Sequence, residues 1–118
     1  MQVRLALCGQ RPIDQLVDLT NYIMLELGQP MHAFDLDRLR GARIDVSAPK
    51  GALTFTTLDG SERKIDPGTL LIRDAEGPIA VAGVMGGANS EVVDGTTRVV
   101  FESAHFSPPS IRRTAKRL

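Results

Sequence analysis

Apolar residues recur at helical spacing in the first quarter of the chain, and at alternating or continuous spacing through most of the rest. Met1, Val3, Leu5, Ala6, Leu7 and Cys8 precede a break at Gly9, which predicts the last turns of a helix with no N-terminal cap. A trimmed fragment would begin this way. Pro12-Ile13-Asp14 opens a second helix, with Asp14 as its N-cap. Leu16, Leu19, Ile23 and Leu27 keep helical spacing, and Val17, Met24 and Leu25 widen the apolar face. Gly28 suits a C-cap, and Pro30 forbids continuation. Thr20, Asn21 and Tyr22 fall mid-helix, where they read as a polar stripe or as side chains bonding back to the preceding turn.

Beyond Ala42 the period changes. Residues 43–47 alternate as a short strand. Leu53–Leu58 and Arg63–Ile65 flank Asp59-Gly60, a hairpin signal, and Pro67-Gly68 marks another turn. Thr69–Ala75 and Pro78–Val84 are continuous apolar runs separated by Glu76-Gly77, which suits strands buried on both faces. Met85–Ser90 is a glycine-rich bend without the Gly-Lys-Ser/Thr ending of a phosphate-binding loop. Thr97–His105 is the last strand, and Ser107-Pro108-Pro109-Ser110 starts a closing helix with a basic, solvated face of Arg112, Arg113, Lys116 and Arg117. The predicted fold is one α+β domain over residues 1–118, with a mixed or antiparallel sheet and helices packed on it.

Two places invite chemistry. Val17–Asp37 is a helix that stops abruptly and delivers His32 into a loop beside Phe34, Asp35 and Asp37, so a site at the helix C-terminus is expected. In the last strand, Glu102 shares a face with Val100 and Ala104 by period 2. It is either on the solvent side of an edge strand or buried with a hydrogen-bond partner.

Charge and composition narrow the classes. Lys plus Arg and Asp plus Glu are both 14, so no basic excess advertises nucleic-acid binding. Four Phe, one Tyr and no Trp offer little for base stacking. The single Cys8 cannot form an intrachain disulfide, and no apolar run approaches a membrane span, so a soluble, cytoplasmic protein is expected. Two histidines without CxxC or HExxH make no metal site, and no GxSxG elbow signals a serine hydrolase.

Several motifs occur together and in order. They are VDLTNYIMLELGQPMHAFDLDRL, TLDG with ER, AVAGVMGG, SEV and FESAHFSPPSIRRTAKRL. Over nearly all 118 residues this resembles the B3/B4 editing region of the bacterial phenylalanyl-tRNA synthetase β subunit. The resemblance implies a domain excised at both ends from a larger subunit. Its partners would be the rest of that subunit, the α subunit in an (αβ)2 heterotetramer, and a tRNA(Phe) 3′ end carrying tyrosine. It implies no cofactor here, since ATP and Mg2+ serve aminoacylation elsewhere in such an enzyme.

By the same resemblance, the domain hydrolyses tyrosine from wrongly charged tRNA(Phe). Glu102 would accept a hydrogen bond from the phenolic hydroxyl, the Gly86 backbone would lie against the phenol, and Ala82 would keep the other wall open. Thr20, Asn21, Pro30 and His32 match positions around the ester and terminal ribose, where His32 would orient substrate or water. The rival class is a non-catalytic scaffold or tRNA-contacting module, inactive in isolation; a free-standing deacylase is a third, weaker reading.

Overall fold

A computed structural model describes residues 1–118 and shows three α-helices and eight short strands. Helix α1 (Gln2–Leu7) lies against α2 (Gln15–Leu27), and Arg4 donates a 2.8 Å hydrogen bond to the Tyr22 hydroxyl. The Asp14 carboxylate caps α2 by accepting from the N–H groups of Leu16 and Val17 at 2.8 and 3.0 Å. Gly28 ends α2 in the left-handed conformation that a Cβ disfavours. Cys8 is exposed at the end of α1.

The buried face of α2 differs from the one its apolar spacing predicts. Asp18 and Thr20 are its buried residues, while Leu19, Leu25 and Leu27 are exposed. The apolar band on this helix is too broad to face the chain all at once. Its buried polar groups are satisfied locally, Thr20 by the bond back to the preceding turn that its mid-helix position predicts. Asp18 accepts from the Ile13 N–H at 2.8 Å and tethers the α1–α2 link, and Thr20 donates to the Val17 carbonyl at 2.8 Å.

The strands form three antiparallel sheets. Strand β1 (His32–Asp35) pairs with β8 (Val99–Glu102). A four-stranded sheet runs β2 (Asp45–Ser47), β5 (Leu71–Arg73), β6 (Pro78–Val81), β7 (Met85–Gly86) in spatial order. Strands β3 (Leu53–Thr56) and β4 (Glu62–Ile65) make the hairpin expected around Asp59-Gly60, joined to the larger sheet by a Thr57–Gly87 bridge. The α+β class is therefore correct, with every pairing antiparallel.

One expectation changes. His32 sits at the head of a strand, not in a loop. Strand β1 is four residues long, follows a proline and carries a carboxylate, so it has no local strand signature. Its partner lies 70 residues downstream, from His32 to Glu102.

The continuous apolar runs are buried on both faces as their composition predicts. Leu71, Ile72, Ile79, Ala80, Val81 and Ala82 all lie in the interior. They divide between two clusters, one around Phe34, Leu39 and Ile72, the other around Phe55, Ile65 and Leu71. Helix α3 (Pro108–Ala115) starts at two prolines and is seated by Phe106 and Ile111, which press against Gly83 in the turn after β6. No helix is long and apolar enough to cross a membrane.

Candidate functional site

Strands β1 and β8 bring the two chemically active side chains together. His32 and Glu102 are direct cross-strand partners, so their Cα atoms lie about 4.5–5.5 Å apart and their side chains leave the same face. That face opens on a cleft of about 780 Å³, within the range of small-molecule sites. Gly28, Gln29, Pro30 and Met31 line one side, continuing the end of α2. Ala80, Val81, Val84, Met85 and Gly86 form the floor from β6 and β7, and Leu58 reaches in from the tip of the β3–β4 hairpin. Ala104, Phe106, Pro108 and Ile111 close the side toward α3. Most of this lining is apolar, so an aromatic guest would be desolvated on several faces.

The His32 ring is fixed from two directions. Phe34, fully buried two residues along the same strand face, meets it edge-on with ring centroids 4.6 Å apart and planes at 70°. On the other side lies Gly86. A Cβ there would stand 2.8 Å from His32 Cε1, 2.9 Å from His32 Nε2 and 2.8 Å from Leu58 Cδ1. Glycine at 86 is thus the space into which the imidazole is packed. Burial pushes the His32 pKa below its ordinary value, which keeps the ring neutral near pH 7 and able to accept a proton.

Glu102 is half-buried, and burial pushes its pKa above the ordinary glutamate value. Neither Glu102 nor His32 forms an ion pair or a side-chain hydrogen bond inside the chain. Elsewhere the partly buried carboxylates are satisfied. Asp18 bonds the Ile13 N–H; Asp35 bonds Thr96 and the Asp37 N–H; Asp74 bonds Arg40 and three backbone N–H groups. The Glu102 oxygens are not enclosed, so they open onto the cleft, where water or the hydroxyl of a guest can donate to them.

Of the residues singled out in the sequence, His32, Glu102, Gly86 and Pro30 converge on this cleft. Ala82 does not line it; that residue is buried in the cluster with Phe34 and Ile79, while its neighbours Ala80 and Val81 face the cleft. Thr20 and Asn21 also lie outside the lining, and the Thr20 hydroxyl is engaged with Val17. Leu58, Met85 and His105 line the cleft without having been marked. Leu58 could have been noticed as the residue before the hairpin's Asp59-Gly60. Met85 and His105 carry no such local signal.

Comparison with known proteins is consistent along the whole chain. The family model described as "B3/4 domain" matches residues 1–118. The chain is 55% identical over 118 residues to the phenylalanine–tRNA ligase beta subunit of Nitratidesulfovibrio vulgaris, covering 100% of this chain and 15% of that protein. It is 57% identical to the subunit of the same name from Oleidesulfovibrio alaskensis and 55% to that of Moorella thermoacetica, with the same 100% and 15% coverage. The chain thus spans about 15% of the length of these relatives.

Proposed function

This chain belongs to the B3/4 domain family, and on that footing we propose that it is the editing region of a phenylalanine–tRNA ligase β subunit, hydrolysing tyrosine from mischarged tRNA(Phe). The need for such a site is physical. An apolar pocket that accepts phenylalanine rejects an isostere with one added hydroxyl by only about 10²-fold. A second site that selects for the hydroxyl completes the sieve, because phenylalanine there leaves a buried acceptor unpaired.

One observation carries the reading. Glu102 and His32 face an apolar cleft side by side, each without an internal partner. Glu102 is the acceptor for the phenolic O–H, and the apolar floor of Ala80, Val81 and Met85 holds the ring. His32, neutral and held between Phe34 and Gly86, orients the attacking water or the terminal ribose hydroxyl. Water adds to the ester carbonyl, the bond to the ribose oxygen breaks, and tyrosine and uncharged tRNA leave. No side-chain nucleophile or redox step is required. Pro30 lies at the cleft edge nearest the end of α2, the side from which the ribose would approach. The α subunit and the rest of the β subunit supply aminoacylation.

The test is tyrosine release from Tyr-tRNA(Phe) by the intact ligase, with Glu102→Ala and His32→Ala introduced separately. Losing a buried hydrogen bond to a charged acceptor predicts about a 10- to 100-fold loss of tyrosine release for Glu102→Ala, with phenylalanine aminoacylation unchanged. Wild-type release in both variants would remove this site from the reaction.

A further inference from the structure

Helix α3 has a second built face. Its Pro108 and Ile111 line the cleft, whereas Ser110, Arg113, Thr114 and Arg117 turn toward the Pro67-Gly68-Thr69 turn between β4 and β5. Between helix and turn lies a separate cavity of about 290 Å³ with no hydrophobic residue in its lining. At about 30 Å³ per water, it has room for a tetrahedral anion with some of its hydration.

We propose that this cavity binds a backbone phosphate of RNA. Thr69 and Thr114 are each only 7% exposed, yet neither hydroxyl bonds any group in the chain, and no fully enclosed polar side-chain atom is left unpartnered. The two hydroxyls therefore open onto the cavity, where they are donors awaiting an acceptor. Arg113 makes no ion pair. Arg117 has one acidic neighbour, Asp66, at 3.9 Å, too long for a hydrogen bond. Two guanidinium groups one helical turn apart, with hydroxyls between them, match the charge and fork geometry of a phosphate. The C-terminal half of a helix opposes an anion with about half a unit charge, and the two guanidinium charges outweigh it even after the Asp66 carboxylate beside Arg117 is subtracted.

The phosphate chemistry stands on the cavity alone; its source in RNA rests on the reading above.

The experiment titrates the chain with inorganic phosphate, and separately with a single-stranded RNA trinucleotide, following backbone amide resonances and affinity against salt. The RNA should shift Thr69, Ser110 and Thr114. In Arg113→Gln/Arg117→Gln its salt dependence should flatten by about 0.7 for each phosphate no longer neutralised. Arg112→Gln/Lys116→Gln removes equal charge from exposed positions outside the cavity and should leave the slope unchanged. Thr114→Val, which keeps the shape, should weaken binding without changing the slope.

Equal flattening in both double variants would reduce the effect to net charge and overturn the proposal. So would phosphate-induced shifts at Thr69 and Thr114 with none from RNA, which would leave a site for free phosphate ions. Binding is read without any ester, so failure of tyrosine hydrolysis in the intact ligase and failure here are separate results.

Discussion

Substituting Gly86 by alanine should separate positioning of the imidazole from the integrity of the fold. The new methyl would begin 2.8–2.9 Å from two atoms of the His32 ring, against the 3.5–4.0 Å of an ordinary carbon contact. Something must therefore retreat by roughly 0.7–1 Å. Leu58, partly exposed at a hairpin tip, can swing out of the way. The His32 ring cannot do so freely, because Phe34 meets it 4.6 Å away on its own strand. Local overpacking of this kind costs about 1–3 kcal/mol. A reacting geometry displaced by about 1 Å slows the reaction on the order of 10²-fold.

Tyrosine release from Tyr-tRNA(Phe) by the intact ligase carrying Gly86→Ala should fall by about that factor. His32 ring resonances should shift, and phenylalanine aminoacylation should stay intact. Gly87→Ala is the contrasting case. Its methyl would meet the Ile79 backbone carbonyl at 2.6 Å as well as the Phe55 ring, and a backbone atom of a central strand has nowhere to go. That variant should lose stability outright. Wild-type tyrosine release with unmoved His32 resonances in Gly86→Ala would refute the packing argument.

Other expectations follow from individual groups. Burial raises the Glu102 pKa, so the stability tied to its proton is complete below the unfolded value near 4.5 and is lost as pH rises through the folded value. Glu102→Gln should therefore gain melting temperature over wild type from pH 4 to pH 7, and a constant gap would contradict this. At Asp74, burial pushes the carboxyl up, but the Arg40 guanidinium and the N–H groups of Glu76, Gly77 and Arg40 together hold it at about 2. Its contribution is present above the unfolded value near 3.8 and disappears as pH falls through about 2. Urea titration of Asp74→Asn should show a deficit of about 2 kcal/mol at pH 7 that shrinks toward pH 2. Asp14→Ala removes the cap from α2 and should cost about 1 kcal/mol by the same titration, with the hairpin amides unaffected.

What could be read from the sequence is what local physics dictates. The Asp14 cap, the Gly28 stop, the Asp59-Gly60 hairpin and the doubly buried Leu71–Ile72 and Ile79–Val81 runs each need only a few neighbouring residues to announce themselves. The facing of Glu102 with Val100 and Ala104 also follows from strand alternation, and those three are partly buried while Phe101 and Ser103 are exposed. Strand β1 was not legible, because a four-residue strand is defined by a partner 70 residues away (His32 to Glu102). The burial of Asp18 was not legible, because its partner, the Ile13 N–H, lies ahead of the helix where apolar spacing carries no information, whereas the bond from Thr20 back to the preceding turn was. Ala82 shows a related limit: in a run buried on both sides, composition does not say which residue meets a cleft and which meets the core.

The pairing of β1 with β8 also sets an order of events during synthesis. Closing a chain loop of that length is entropically slow, and here the two halves of the site meet only when it closes. A polypeptide still emerging from the ribosome, with Glu102 not yet translated, holds His32 without its cross-strand partner. Under the proposed function, the residue that selects the guest and the residue that orients its hydrolysis would come into register in one step, when β8 docks on β1.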